Sequence, residues 1–361
     1  MASMVRPARA IVLNMASDPR ARLAPLGHGG DLSVARRLFP GAPEPFIDLS
    51  TGINPLGYPV PEIARDALAR LPEPAAVQRL AALAADAYGA PSPACVVPAP
   101  GTQILLPMVA ALVSPGHAGV LGPAYSEHAR AAALASHAVF ETASLDEIVN
   151  CDVAIISNPN NPDGRIVTRH ALLALAEELG RRRGWLVVDE AFMDVGPPAT
   201  SLAADVERAN IVVLRSFGKF FGLAGLRLGF ALTNPRTAAE LSARLGPWAV
   251  SGPAIAVGLT ALADTPWASA TRVELAAAAI RLDQVLSSAG VEVVGGTSLF
   301  RLVHTSHAQE LFAHLGRAGI FVRRYRTPPT WLRFGLPGTD AAWERLRVAL
   351  AVPDPDLVAN T

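Results

Sequence analysis

The sequence has little cysteine and no excess of charge of either sign. Its two cysteines, Cys95 and Cys151, have no metal-type spacing and are too few for a disulfide framework. Lys plus Arg and Asp plus Glu number 31 each, so no global field attracts nucleic acid or an acidic membrane surface. We therefore expect a small-molecule partner, no nucleic acid, no metal and a cytoplasmic location.

Long apolar runs are also missing. Hydrophobic residues make up 51% of the chain, but Arg, Asp and Glu interrupt the Ala-rich stretches. No run approaches the roughly 20 apolar residues that a membrane span needs, and we expect no membrane span. Residues 1–25 carry four arginines and one acidic residue, and their apolar run is too short for a signal peptide. They are expected to form a flexible basic arm.

The hydrophobic pattern changes along the chain, whose 361 residues exceed what one core usually supports. Residues 46–240 alternate helical periodicity with short strands that are apolar on both faces, which is typical of a parallel or mixed α/β sheet. The candidate strands there are residues 118–121, 153–157, 185–189, 211–216 and 227–232. Short strands and two helices follow a long Ala-rich helix, which is typical of an α+β unit. We predict a large domain over 46–240 and a small domain made by 26–45 and 250–361.

The most informative segment, residues 216–229, follows an apolar strand and holds Lys219 among phenylalanines and glycines. Burial lowers the pKa of a lysine and yields a neutral amine that can condense with an aldehyde. Ser216 lies three residues before this lysine and Arg227 eight residues after it. A hydroxyl and a guanidinium are donors that hold a phosphate. The segment therefore favours a lysine-linked cofactor that carries a phosphate.

Two other strand ends carry polar residues, where ligands of α/β sheets bind. Asp189 ends the apolar strand 185–189. It is either a turn or capping carboxylate, or the group that keeps a pyridine nitrogen protonated. The Asn- and Pro-rich residues 158–164 follow another strand, and alone they are an ordinary turn.

In their order along the chain, these three segments resemble the fold-type I enzymes that use pyridoxal 5'-phosphate (PLP). The likeness is to the branch that contains histidinol-phosphate aminotransferase and threonine-phosphate decarboxylase, and it covers about residues 26–350. It implies the PLP-dependent aminotransferase fold, α/β, with a mixed and mostly parallel sheet in the large domain and a smaller α+β domain. It also implies that Lys219 binds PLP covalently and that Asp189 pairs with the pyridine nitrogen.

The resemblance implies further cofactor contacts. Asn161 takes the place of the donor to the ring hydroxyl, and Tyr125 that of the aromatic residue that stacks on the ring. Ser216 and Arg227 take the places of the two side chains that bind the phosphate. The backbone amides that bind the phosphate fall on Gly101, Thr102 and Gln103. The amides would lie at a helix N-terminus, which favours an anion. For Tyr125 a place in the core is the alternative role.

Three residues depart from the pattern of this branch. Phe192 stands where relatives commonly have tyrosine, so a hydrogen bond to the phenolic oxygen of the cofactor should be missing. Gly218 precedes the lysine where many relatives have a hydroxyl residue. Leu71 replaces a tyrosine that relatives lend to the phosphate of the neighbouring subunit. Each departure removes one polar contact and none touches Lys219.

Two arginines near the C-terminus are candidates for substrate binding. Arg333 resembles the arginine that binds the substrate carboxylate in this branch. Arg323 resembles the arginine that binds the phosphate of phosphate-bearing substrates. The sequence alone does not decide whether Arg323 or the adjacent Arg324 faces the substrate. A solvated strand face is the alternative for both, but both lie in apolar strand patterns.

The amino-terminal motifs, residues 27–31 and 48–57, resemble those of threonine-phosphate decarboxylase. By that resemblance His28 reaches the substrate phosphate and Asn54 bonds the substrate carboxylate. A structural histidine beside a Gly-rich turn is the alternative. Gly52 replaces a polar side chain of some relatives and weakens phosphate recognition.

Together these features predict a PLP-dependent lyase that decarboxylates L-threonine O-3-phosphate to (R)-1-amino-2-propanol O-2-phosphate. The resemblance connects this reaction with cobalamin biosynthesis and implies a homodimer. The alternatives are a histidinol-phosphate aminotransferase or a related aminotransferase on the same scaffold, and a catalytically silent binding protein with this fold.

Overall fold

The computed structural model describes residues 11–12 and 28–351, which form two β-sheets and the helices that pack on them. The strands are β1 (Ile11–Val12), β2 (Ile47–Leu49), β3 (Val96–Ala99), β4 (His117–Leu121), β5 (Ala138–Thr142), β6 (Val153–Ser157), β7 (Trp185–Asp189), β8 (Ile211–Ser216), β9 (Gly229–Leu232), β10 (Glu292–Thr297), β11 (Phe300–His304), β12 (Ile320–Arg324) and β13 (Trp331–Gly335). The helices are α1 (Leu32–Leu38), α2 (Arg65–Ala69), α3 (Pro74–Tyr88), α4 (Thr102–Ala110), α5 (Ser126–Leu134), α6 (Leu145–Ile148), α7 (Arg169–Arg181), α8 (Phe217–Phe220), α9 (Pro235–Leu245), α10 (Gly252–Ala263), α11 (Thr265–Ser288), α12 (Ala308–Arg317) and α13 (Asp340–Ala351).

The large sheet has the strand order β1-β5-β4-β6-β7-β8-β9-β3. Strands β5, β4, β6, β7 and β8 are parallel, and β9 runs against both β8 and β3. Every residue of β6 is buried. Ala154 and Ile156 face one apolar core, whereas Val153 and Ile155 face the other, as expected for a strand with helices on both faces. The predicted mixed, mostly parallel sheet is confirmed.

The small sheet has the order β10-β11-β13-β12-β2, and here the structure differs from the predicted domain boundaries. β2, which the prediction put in the large domain, pairs in parallel with β12. In addition α10, predicted to be small-domain, packs on the large domain. A side chain at Gly258 would meet Leu80 and Leu228, so this glycine permits the close approach of α10. Both departures come from contacts between segments far apart in sequence.

The described part of the N-terminal arm is β1, which pairs antiparallel with β5 and forms one edge of the large sheet. The remaining residues of 1–25 lie outside the described residues, and their flexibility stays a prediction. Among residues 11–12 and 28–351, no helix is long and apolar enough to cross a membrane. Within the same residues no group of three or more His, Cys, Asp or Glu side chains is placed to hold a metal ion.

Candidate active site

Lys219 lies at the carboxyl end of the parallel strands, in the single helical turn α8 that follows β8. Burial, followed by the positive charge of Arg333, lowers the pKa of its amine to about 8, and the carboxylate of Asp189 opposes this shift. The ring centroid of Phe192 lies 5.7 Å from Nζ.

Lys219 is also the only lysine of the chain, and the other 30 of its 31 Lys and Arg residues are arginines. Because a guanidinium cannot lose its proton in a protein and act as an amine nucleophile, this position requires lysine where the rest of the chain uses arginine.

The lowered pKa predicts how cofactor capture depends on pH. The neutral fraction of the Lys219 amine rises as pH passes its pKa. The rate at which apoprotein binds PLP should therefore rise with pH and level off above about 8, whereas an ordinary lysine amine levels off only above about 10.4. Stopped-flow absorbance measures the rate, with Nα-acetyl-lysine in the same buffers as the control. An inflection that coincides with that of the free amine would contradict the lowered pKa.

The backbone around Lys219 is fixed by a second segment. Asn54 donates from its backbone N–H to the carbonyl of Lys219 and from Nδ2 to the carbonyl of Phe220, each at 2.9 Å, and its Oδ1 accepts from the N–H of Leu56. Asn54 therefore holds the lysine turn, with both polar atoms of its side chain bonded to backbone. Nδ2 carries a second N–H, and its contact with the substrate carboxylate stays a prediction.

Steric contacts explain why glycine stands at positions 218 and 52, where relatives have larger residues. A Cβ on Gly218 would lie 2.9 Å from Cα of Ala224, which leaves no room for a hydroxyl residue. A Cβ on Gly52 would lie 2.9 Å from Phe300 and 3.0 Å from Phe192. These two rings meet edge to face at 5.0 Å. Gly52 and Phe192 are therefore coupled, and together they make an apolar wall beside the lysine.

Asp189 ends β7 and bonds a histidine that the sequence analysis did not identify. Its Oδ2 lies 2.8 Å from Nε2 of the fully buried His128, and its Oδ1 accepts from the N–H of Ala191 at 3.1 Å. The ring of His128 stands edge-on to Tyr125, with centroids 5.5 Å apart. The spacing of three residues between these rings, one turn of α5, is the sequence signal that could have revealed the histidine.

A cradle for a phosphate lies at the start of α4. Gly101 has φ of +84°, and a Cβ there would lie 2.6 Å from Nη2 of Arg227. A Cβ on Gly229 would lie 2.7 Å from the backbone nitrogen of Thr102, and Gly229 is the cross-strand partner of Ser216. The predicted phosphate ligands thus converge on a helix N-terminus, whose orphan N–H groups attract an anion. These residues fit the phosphate of PLP.

The predicted substrate and ring-hydroxyl ligands meet in the cleft between the sheets. Arg333 is buried and donates from Nη1 to Oδ1 of Asn161 and from Nη2 to the carbonyl of Ser50 at 2.9 Å. With Oδ1 accepting, Asn161 keeps its amide N–H groups for an acceptor such as the ring hydroxyl. Among the described residues Arg333 contacts no carboxylate, and its Nε has no partner. A buried guanidinium with neutral partners is arranged for an anionic ligand.

The side chains of the adjacent Arg323 and Arg324 lie in different surroundings. Arg323 is the direct cross-strand partner of Arg333, which puts both side chains on one face of the sheet. Burial lowers the pKa of Arg323. The guanidinium of Arg324 instead lies 4.9 Å from the ring of Phe312, on α12. Arg323 is therefore the arginine that faces the cleft.

Tyr125 contacts both His28 and Gln103, a residue of the first turn of α4. The ring of His28 lies 5.8 Å from that of Tyr125, and its Nε2 lies 2.9 Å from Oε1 of Glu127. The hydroxyl of Tyr125 donates to Oε1 of Gln103 at 3.2 Å. Burial raises the pKa of Tyr125 to about 12, so its hydroxyl stays protonated. Glu127 is a second residue that the sequence analysis missed.

A buried ionic network supports the strand ends beneath the site. Arg215 donates from Nη1 to Glu190 at 3.1 Å and from Nη2 to Asp194 at 2.8 Å, and its guanidinium lies 4.4 Å from the ring of Tyr88. All three charged groups are buried. Because Glu190 directly follows Asp189, the network fixes the turn that carries Asp189.

Removal of the cation from this network should destabilise the fold. Arg215→Ala leaves two buried carboxylates without their cation, which costs about 3–5 kcal/mol of unfolding free energy. Urea denaturation followed by circular dichroism measures the change. Arg181→Ala, which removes an exposed pair with Glu178, is the control and should leave the midpoint almost unchanged. Equal midpoints for both variants would contradict this role.

A lysine with a lowered pKa, a carboxylate at a strand end and a phosphate cradle on this sheet define the site of a PLP-dependent enzyme. The chain belongs to the aminotransferase class I and II family, whose model matches residues 68–350. This membership confirms the predicted family, fold and cofactor.

Relatives and solved structures agree with the family assignment. The chain is 42% identical to a threonine-phosphate decarboxylase of Pseudomonas aeruginosa, over 90% of this chain and 97% of that one. It is 40% identical to a threonine-phosphate decarboxylase of Sinorhizobium sp., over 91% and 98%. Its fold matches histidinol-phosphate aminotransferase from Sinorhizobium meliloti in complex with pyridoxal-5'-phosphate, with a TM-score of 0.77, 20% identity, and coverage of 94% and 97%.

Proposed function

We propose that this chain is a PLP-dependent lyase that decarboxylates L-threonine O-3-phosphate to (R)-1-amino-2-propanol O-2-phosphate, a reaction of cobalamin biosynthesis. The observation that carries the proposal is the pair Arg333 and Arg323, which face one cleft and contact no carboxylate among the described residues. The substrate has two anionic groups, a carboxylate and a phosphate, and the pair offers one guanidinium to each. The names of the two relatives at 42% and 40% identity support the choice of reaction.

The side chains have distinct tasks in this proposal. When bound, PLP supplies an electron sink for the carbanion at the substrate Cα. Arg333 would bind the carboxylate and so set the orientation of the Cα–carboxylate bond that breaks. Phe192 and Phe300 exclude water from the face on which the carboxylate leaves. After CO2 has left, Nζ of Lys219 would return a proton to Cα and then displace the product amine.

Histidinol-phosphate aminotransferase is the second candidate, because the chain is also 31% identical to a histidinol-phosphate aminotransferase of Ralstonia nicotianae, over 89% of this chain and 92% of that one. In that reaction Nζ of Lys219 would remove the Cα proton, and the same Arg323 would bind the substrate phosphate. A silent binding protein is disfavoured, because such a protein has no need for a lone lysine whose pKa is lowered beside Asp189.

Two assays on the loaded protein separate the candidates. One follows CO2 release from threonine phosphate, and the other follows amino transfer from histidinol phosphate to 2-oxoglutarate. We expect CO2 release without any need for a keto acid. Turnover in the second assay alone would contradict the proposal, and turnover in neither would favour the silent protein.

The neighbouring arginines provide a matched pair of variants. Arg323→Ala should raise KM for threonine phosphate by about 10- to 100-fold, because it removes a charge-assisted contact to the phosphate. Arg324→Ala removes only stacking on Phe312 and should leave KM within about threefold. Steady-state kinetics measures both. The assignment of Arg323 is wrong if the two variants lose affinity equally.

We also propose a cytoplasmic homodimer. Among the described residues Leu56, Leu68, Leu71 and Trp248 are each more than half exposed. Large apolar side chains that form one exposed patch mark a surface that a partner covers, and we assign these residues to such a patch. Light scattering during gel filtration should give twice the chain mass, and Leu68→Glu should shift the protein towards the monomer. A monomer in the unsubstituted protein would contradict the proposal.

A further inference from the structure

A buried carboxylate, that of Glu127, contacts both His28, the predicted ligand of the substrate phosphate, and Gln103, in the turn predicted to bind the cofactor phosphate. Glu127, in the first turn of α5, is 3% exposed. Its Oε1 lies 2.9 Å from Nε2 of His28. Its Oε2 accepts from Nε2 of Gln103 at 2.8 Å and from Nη1 of Arg130 at 3.0 Å. None of the chemistry above uses this group.

The contacts of Glu127 orient residues on both sides of the cleft. Because the carboxylate accepts from Nε2 of His28, Nδ1 is the nitrogen left for a phosphate oxygen, and it donates to that oxygen in the doubly protonated ring, in which both nitrogens are donors. On the other side, the amide of Gln103 is bonded at both atoms, to Glu127 and to the hydroxyl of Tyr125. The orientation of the stacking ring and that of the histidine therefore depend on the same carboxylate.

We propose that Glu127 is a positioning residue that sets the preference for phosphorylated substrates through His28. This inference rests on the proposed function, whose substrate carries a phosphate, and on the predicted contact of His28 with that phosphate. A substrate without a phosphate gains nothing from an aligned histidine, so the contribution of Glu127 should appear only for the phosphorylated ligand. A group with a merely structural role would affect both ligands alike.

Ligand titrations of loaded protein test this difference. The cofactor absorbance is followed during addition of L-threonine O-3-phosphate or of L-threonine. Glu127→Gln keeps the size of the side chain, but its amide cannot accept from all three donors. We expect its Kd for threonine phosphate to rise about tenfold or more and its Kd for threonine to change less than about threefold. Ser126→Ala, in the same helical turn, is the control and should change neither.

A double-mutant cycle identifies the route. If Glu127 acts through His28, then Glu127→Gln in a His28→Ala background should weaken threonine phosphate binding less than about twofold. Additive losses, or equal losses for both ligands, would overturn the inference. If Glu127→Gln does not retain cofactor, Glu127→Asp, whose carboxylate is one methylene shorter, takes its place with the same expectations. An unsubstituted protein whose spectrum does not respond to threonine phosphate contradicts the proposed function itself, and this is seen before any variant is made.

Discussion

Lys219→Ala is expected to lower kcat for threonine phosphate by at least about 10³-fold. The loss is large because the same amine binds the cofactor aldehyde and moves the proton at Cα. No other side chain can take its place, since the chain has no second lysine. Initial rates of CO2 release at saturating PLP measure the effect.

The fold should survive this substitution. Lys219 contributes a polar group whose burial lowers its own pKa, so its charged form is not a source of stability. Circular dichroism and the urea midpoint of the Lys219→Ala apoprotein should match those of the parent apoprotein. A variant that folds and keeps more than about a tenth of the parent kcat would refute the role of this lysine.

Asp189→Asn should lower kcat by about 10²–10³-fold, the usual cost of losing a preorganised electrostatic contact in an active site. An amide cannot hold the pyridine nitrogen protonated as a carboxylate does, and the contact with His128 at 2.8 Å loses its charge. Rates at saturating PLP separate this effect from weaker cofactor binding.

His128→Asn is the companion variant of Asp189→Asn. It removes the ring that holds the carboxylate in place but keeps the carboxylate itself, so its loss of kcat should be smaller. Because both residues act through one contact, the double variant should be little worse than Asp189→Asn alone. Independent, multiplied losses would contradict a shared role.

The buried centre of the large sheet could be predicted from the sequence. β6, β7 and β8 have the predicted bounds, because strands covered on both faces are continuous apolar runs between polar turns. β3 and β5 were not predicted. β3 contains Pro98, and in β5 Phe140 and Glu141 are only partly buried. Neither strand therefore has the continuous apolar run of a central strand.

The positions of Asp189 and Lys219 at strand ends could also be predicted, because each follows a continuous apolar run. The links between residues of the site could not. The bond between His128 and Asp189 spans 61 positions, and that between His28 and Glu127 spans 99. Such pairs form only when separate elements are brought together by the fold. The contact of Asn54 with the lysine turn was not predicted for the same reason, since its amide partner Phe220 lies 166 residues away.

Borohydride reduction of the loaded protein, followed by peptide mass mapping, tests the central claim most directly. Reduction fixes the cofactor to whichever amine holds it, and the chain offers one lysine and the amino terminus. The pyridoxyl group is expected on the peptide that contains Lys219, in one equivalent per chain. Modification of the amino terminus alone, or no modification at all in protein that shows the cofactor absorbance, would contradict the account.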